Sequence, residues 1–137
     1  MYNTGARVSE MISAKREDLT LGHQVVIKLH GKGRKERTLP LWKSTGQLLR
    51  HWLNEIDKTP NAPLFPNRFG HAMTRAGIEE RLHIAAQKAQ TTCASLKDKP
   101  VSPHIIRHTT AMHLLQSGVD LTVIALWLGH ERTTTTH

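Results

Sequence analysis

The sequence has 137 residues, room for one domain with a hydrophobic core but not for two. With 38% hydrophobic and 22% charged residues it reads as globular rather than disordered. A formal net charge of +8 and a pI of about 10.2 point to a polyanionic partner, nucleic acid before an anionic membrane surface.

Cys93 is the single cysteine, which rules out an intramolecular disulfide and fits a reducing compartment. With no signal peptide and no apolar run long enough for a bilayer, the expectation is a cytoplasmic protein without membrane contact.

In chain order, Met1 to Gly5 reads as the last turn of a helix stopped at Gly5. A short helix is expected from Arg7 to about Ser13, with Val8, Met11 and Ile12 as its apolar stripe. Arg7 lies just after the break, where a backbone turn can aim it into a cleft. Asp18 to Gly22 is a turn-like approach to a β-branched, alternating strand from Gln24 to His30. Its partner is Glu36 to Leu41, with Pro40 at an edge or terminus. The glycine-bracketed basic hairpin Gly31-Lys32-Gly33-Arg34-Lys35 joins them and can carry Lys32 toward a phosphate or a groove.

Lys43 to about Asp57 reads as a helix with Leu48, Leu49, Trp52, Leu53 and Ile56 on one face. Leu64 to Asn67 looks like an anchoring segment. Thr74 is a candidate cap for a helix to about Gln90, with Ile78, Leu82, Ala85 and Ala86 inward, and a polar loop follows to Pro100.

The most informative stretch is Pro103-His104-Ile105-Ile106-Arg107-His108-Thr109. Ser102 can cap it, Pro103 suits the first helical position, and the helix runs to about Ser117 before Gly118 stops it. His104 and Arg107 stand three residues apart, on one face. That sets a group able to exchange a proton near neutral pH beside a guanidinium fork that fits phosphate oxygens. A last helix can start at Asp120 or Thr122, with Leu121, Val123, Ile124, Leu126, Trp127 and Leu128 mostly buried, and end at Gly129. His130 follows the stop, and Glu131 to His137 reads as a frayed polar tail.

Other chemistries fit poorly. There are ten histidines, and His104 and His108 have i, i+4 spacing, but no Glu follows His104 and one cysteine builds no thiolate site. No metal or cofactor is therefore expected. The Walker spacing around Lys32 and a nucleophile elbow are both absent.

Four strings stand in order: TGARVSE (Thr4–Glu10), GKGRKER (Gly31–Arg37), PHIIRHT (Pro103–Thr109) and WLGH (Trp127–His130). Together they resemble the catalytic domain of the tyrosine recombinases, the phage-integrase and Xer-type family, over nearly the whole chain. The fold this implies is α+β and mainly α, with a small antiparallel β-hairpin or sheet near the N-terminus.

The resemblance assigns catalytic roles residue by residue. Arg7 and Arg107 would clamp the scissile phosphate. Lys32 would protonate the departing 5′-oxygen, His104 would assist proton transfer, and His130 would hydrogen-bond a phosphate oxygen. Glu10 or Asp18 would be a supporting carboxylate. Lys32, Arg34, Lys35 and Arg37 would contact DNA. The implied partner is double-stranded DNA, bound in the full-length family by a tetramer on two sites, and the reaction needs no metal or external energy.

The chain departs from the family's pattern in one respect. The family's nucleophilic tyrosine usually lies a few residues past His137, and the one tyrosine here is Tyr2. The expectation is a single truncated catalytic domain over residues 1–137, without the N-terminal DNA-clamp (core-binding) domain or the tyrosine segment. It would bind DNA without cleaving it. A non-catalytic basic DNA-binding module and a type IB topoisomerase-like domain are the alternatives.

Overall fold

The computed structural model describes residues 1–130, so the expected polar tail at 131–137 lies outside the described residues. Five helices and a three-stranded antiparallel sheet follow one another: α1 (Val8–Ser13), β1 (Leu19–Thr20), β2 (Val26–His30), β3 (Glu36–Pro40), α2 (Lys43–Glu55), α3 (Arg75–Gln90), α4 (Pro103–Gln116) and α5 (Leu121–Leu128). The α+β, mainly helical class read from the sequence is the class observed.

The sheet order is β1-β2-β3, with Leu19 opposite Ile27, Ile27 opposite Leu39 and Leu29 opposite Arg37. Two-residue alternation sends Leu19, Ile27, Leu29 and Leu39 to one face, where all four are buried. α2 lies against this layer through Leu53, with Ile56 just past its end, and Leu64 fills the space between with no exposed surface. Burying a leucine such as Leu29 or Leu64 contributes roughly 1.5–3 kcal/mol. The anchoring expected of Leu64 has a backbone component too: its N–H donates to Ala14 O at 2.9 Å, and its carbonyl accepts from Trp52 Nε1 at 2.7 Å.

Three expectations need correction. The approach from Asp18 to Gly22 contains a strand, β1, whose two residues are too few to show a period. Leu48 on α2 is 71% exposed, and Ala85 on α3 is exposed as well. On α5 only Ile124 and Leu128 are buried, and Trp127 partly, while Leu121, Val123 and Leu126 face outward. The cause is geometric. A helix lying on one side of a domain buries one stripe, and α5 is apolar all round.

The predicted punctuation is present. Ser102 Oγ accepts from Ile105 N at 3.2 Å, Thr74 Oγ1 from Gly77 N at 3.0 Å, and Asp120 Oδ1 from Thr122 N at 2.8 Å. Gly5 and Gly129 both have positive φ, +65° and +71°. A Cβ on Gly5 would collide with Leu128 Cδ2, so the turn before α1 touches the end of α5 only because that position lacks a side chain. Gly5→Ala is expected to lower stability by about 1 kcal/mol or more, from an αL alanine plus the clash. Equilibrium denaturation checks this; a change under about 0.5 kcal/mol would contradict the packing described.

Candidate active site

The site grows from the carboxyl end of α5. A helix leaves its last carbonyls without intrahelical partners. Here Gly129, in the left-handed conformation, turns the chain so that His130 N donates to Ala125 O at 3.0 Å and Gly129 N to Leu126 O at 3.2 Å. The next three carbonyls are each met by an arginine. Arg37 Nε donates to Trp127 O at 2.8 Å, Arg107 Nη2 to Leu128 O at 2.8 Å, and Arg7 Nη1 to Gly129 O at 3.3 Å. The partial negative charge at a helix C-terminus favours cations there.

Each arginine reaches this point for a local reason. Arg7 is the extended residue (φ −72°, ψ 154°) before α1. Its N–H donates to Glu10 Oε1 at 2.8 Å, which fixes the start of the helix. Arg107 lies one turn into α4, and Arg107 Nη1 also donates to Gly5 O at 2.6 Å. Arg37 shares the inner face of β3 with Leu39, so its side chain is only 12% exposed. Its two terminal nitrogens bind the Glu10 carboxylate, Nη2 to Oε1 at 3.0 Å and Nη1 to Oε2. Of the four basic residues expected to contact DNA, the structure sets Arg37 apart from Lys32, Arg34 and Lys35. Those three are exposed on the hairpin, whereas Arg37 is an internal tie between α1, β3 and α5.

Of the two carboxylates left open by the sequence, Glu10 is the one against the arginines. It is 1% exposed. Burial alone would raise its pKa, but the Arg37 hydrogen bond, the Arg7 amide and the charges of Arg37 and Arg7 outweigh burial and hold it below the ordinary carboxylate range. Asp18 is engaged elsewhere, with His30 Nε2 at 2.7 Å and Lys15 N at 2.9 Å.

The remaining donors open onto two adjoining clefts. One, of about 560 Å³, is lined by Arg7, His104, Arg107 and His130 together with Arg75. The other, of about 920 Å³, is lined by Arg7, His130, Glu10, Arg37 and the hairpin residues Lys32 and Lys35. Arg7, Ser9 and His130 belong to both. The structure thus gathers Arg7, His104, Arg107 and His130, and puts Lys32 across the Arg7–His130 wall on its exposed tip.

Arg107 is held well below the usual arginine range, at about 10, first by partial burial and then by the charge of Arg7, with Arg37 adding to it and Glu10 opposing. His130 is lowered by burial, then by Arg107, Arg7 and Arg37, so its imidazole is neutral at pH 7 and can both donate and accept a hydrogen bond. Arg7, Arg37 and Arg107 share the buried Glu10 carboxylate, and Arg75 and Glu79 add one charge of each sign to the smaller cleft, so an excess of positive charge suited to an oxyanion remains. Among the described residues no three His, Cys, Asp or Glu side chains are placed to hold a metal ion.

Tyr2 is elsewhere. Its hydroxyl bonds His113 Nδ1, and its ring packs edge-on against Trp42 at 5.5 Å. Sequence reasoning missed the Glu10–Arg37 pairing and the role of Ser9 as cleft wall. The available signal was alternation, since Arg37 is two residues from buried Leu39.

A mainly helical domain with a small sheet thus carries two arginines and two histidines around a basic cleft. The chain matches the phage integrase family over residues 1–137, and it belongs to that family, the tyrosine recombinases. It is 46% identical over 133 residues to y4rC of Sinorhizobium fredii (strain NBRC 101917 / NGR234), named as an integrase/recombinase, covering 97% of this chain and 40% of that protein. It is 37% identical over 142 residues to tyrosine recombinase XerD of Listeria monocytogenes (serotype 4b, strain F2365), covering 99% and 46%. The chain thus spans less than half the length of these relatives. Among solved structures, the site-specific recombinase XerH bound to its difH substrate, in a pre-cleavage complex, superposes with a TM-score of 0.79 at 30% identity, over 96% of this chain and 38% of XerH.

The charge arrangement predicts pH behaviour. Because the folded state depresses the pKa of His130 below its ordinary value of 6.5, the unfolded chain binds the proton more readily. The contribution is fully present above that ordinary value, and stability declines as pH falls below it. The His130 resonance should titrate with a midpoint below 6.5 by NMR, and the midpoint should rise in Arg7→Ala. An unshifted midpoint in both proteins would contradict the electrostatics.

Proposed function

We propose that this chain is the phosphate-binding core of a DNA breaking-and-rejoining domain, with duplex DNA as its substrate. The observation that carries the reading is the anchoring of Arg7 and Arg107 on the adjacent carbonyls of Gly129 and Leu128, which leaves their other donors in one cleft with His104 and His130. Support comes from related structures, in which XerH is bound to its difH substrate before cleavage and to a palindromic difH substrate after it.

On this reading Arg7 and Arg107 hold the two non-bridging oxygens of the scissile phosphate. A phosphodiester carries one negative charge, and the pentavalent species formed when an oxyanion attacks carries two. An excess of fixed positive charge stabilises the second more than the first, which is the condition for catalysis rather than mere binding. The neutral His130 imidazole donates a hydrogen bond to a phosphate oxygen. His104 assists proton transfer. Lys32 delivers a proton to the 5′-oxygen as its bond to phosphorus breaks. A tyrosine oxygen is the attacking group, giving a 3′-phosphotyrosyl link and a free 5′-hydroxyl. In the complete reaction we expect four such domains on two DNA sites.

Tyr2 does not serve as that nucleophile, because its hydroxyl is committed to His113 and attack requires in-line approach at near-contact distance. The 137 residues alone are therefore expected to bind DNA and to form no covalent adduct with a nicked suicide substrate. A DNA-linked band surviving denaturing electrophoresis, and lost on Tyr2→Phe, would overturn this.

Binding itself should be weakly sequence-dependent and steep in salt, because phosphate contacts dominate it. Arg107→Ala should weaken binding and flatten the plot of log affinity against log salt by about one unit. An unchanged affinity and slope in that variant would sink the proposed phosphate contact.

A further inference from the structure

We propose that Arg37 is a positioning residue for the phosphate site. Resting on the reading above, it sets Arg7 and the His130 turn through Glu10 and Trp127 rather than touching DNA. Three observations meet at its guanidinium. Its terminal nitrogens hold the Glu10 carboxylate, and the same carboxylate accepts the Arg7 amide. Its Nε holds Trp127 O, two residues before the glycine that turns the chain into His130. Gly129 lies flat against it, so closely that a Cβ there would come within 2.5 Å of Nη1 and 3.0 Å of Cζ. One planar group thereby fixes the start of α1 and the end of α5, the two places that supply Arg7 and His130.

Arginine suits this task because its donors point in a fixed fork. A lysine in its place keeps the charge but has no planar fork to set separate nitrogens on the carboxylate and the carbonyl. Each of the three nitrogens of Arg37 makes a hydrogen bond within the protein, whereas Lys32, Arg34 and Lys35 stand exposed on the hairpin. The position also lies on the wall of the larger cleft, so a direct phosphate contact is the reading to be separated from positioning.

The two readings differ in sign at Glu10. If Arg37 acts only by its charge, removing the opposing carboxylate strengthens DNA binding. If Arg37 acts by placement, losing its anchor weakens binding despite the more favourable net charge.

The experiment measures affinity for a short DNA duplex, well below each melting temperature, for Arg37→Lys, Arg37→Gln and Glu10→Gln. Arg107→Ala serves as reference. Positioning predicts that all three variants weaken binding on the order of tenfold, the scale on which removing a supporting partner loosens a site. It also predicts that Arg37→Lys does no better than Arg37→Gln. Wild-type affinity in Arg37→Lys, or tighter binding in Glu10→Gln, overturns the proposal. So does a lowered melting temperature with unchanged affinity, which marks a purely structural tie.

If the Arg37 variants do not fold, Gly129→Ala displaces the guanidinium without changing any charge. It should give the same loss, and unaltered binding there counts against positioning. Failure of the broader reading looks different, since Arg107→Ala would then bind DNA like wild type. If Arg107→Ala weakens binding and the Arg37 and Glu10 variants do not, only the role given to Arg37 fails.

Discussion

Three arginines converge on three consecutive carbonyls because α5 ends inside the protein's functional face rather than in water. Trp127, Leu128 and Gly129 each present an oxygen that needs a donor. Water could serve an exposed helix end. Here the donors come from β3, α4 and the residue before α1, which makes the end of α5 the point where the sheet and the helices are tied together. A neutral donor would satisfy the same oxygens. Guanidiniums satisfy them and leave further N–H groups over, and those are what the cleft displays.

This solution concentrates like charge. Arg107 is depressed to about 10 by partial burial and by Arg7, a sign that the site resists its own charge. Glu10 relieves part of that repulsion through Arg37, and the carbonyl dipoles relieve more. Breaking a buried pair such as Glu10–Arg37 leaves an uncompensated charge, at a cost of about 3–5 kcal/mol. An oxyanion bound between the remaining donors would relieve the rest. Substitutions among the three arginines and Glu10 therefore couple rather than add.

Much of this was legible in the chain. The caps at Ser102, Thr74 and Asp120 and the stops at Gly5, Gly118 and Gly129 are local chemistry, and local chemistry survives folding. The four family strings named Arg7, Lys32, His104, Arg107 and His130, and the fold brings four of them to one cleft with Lys32 beside it. What the strings could not give was which basic residues face inward. Arg34, Lys35 and Arg37 look alike in a hairpin. Register decides between them, because Arg37 falls opposite Leu29 and two residues from Leu39. Helix faces failed for a related reason. The apolar residues of α5 outnumber the partners available to cover them, so hydrophobicity alone could not say that Leu126 is exposed and Leu128 buried.

The same register argument explains why the site divides into a rigid part and an exposed one. Arg7, Arg37 and Arg107 are each held at two or more points, or by a helix start, and charge stabilisation works only if the donors are already in place when charge develops. The proposed proton donor is placed differently. Lys32 sits on a turn between Gly31 and Gly33, exposed, and a side chain added at Gly33 would meet nothing within 4 Å. The hairpin's base is fastened instead: His30, paired with Glu36 in the ladder, puts Nε2 2.7 Å from Asp18 and Nδ1 3.3 Å from Glu36. The exposed tip is thus carried by the strands below it to the edge of the arginine cleft.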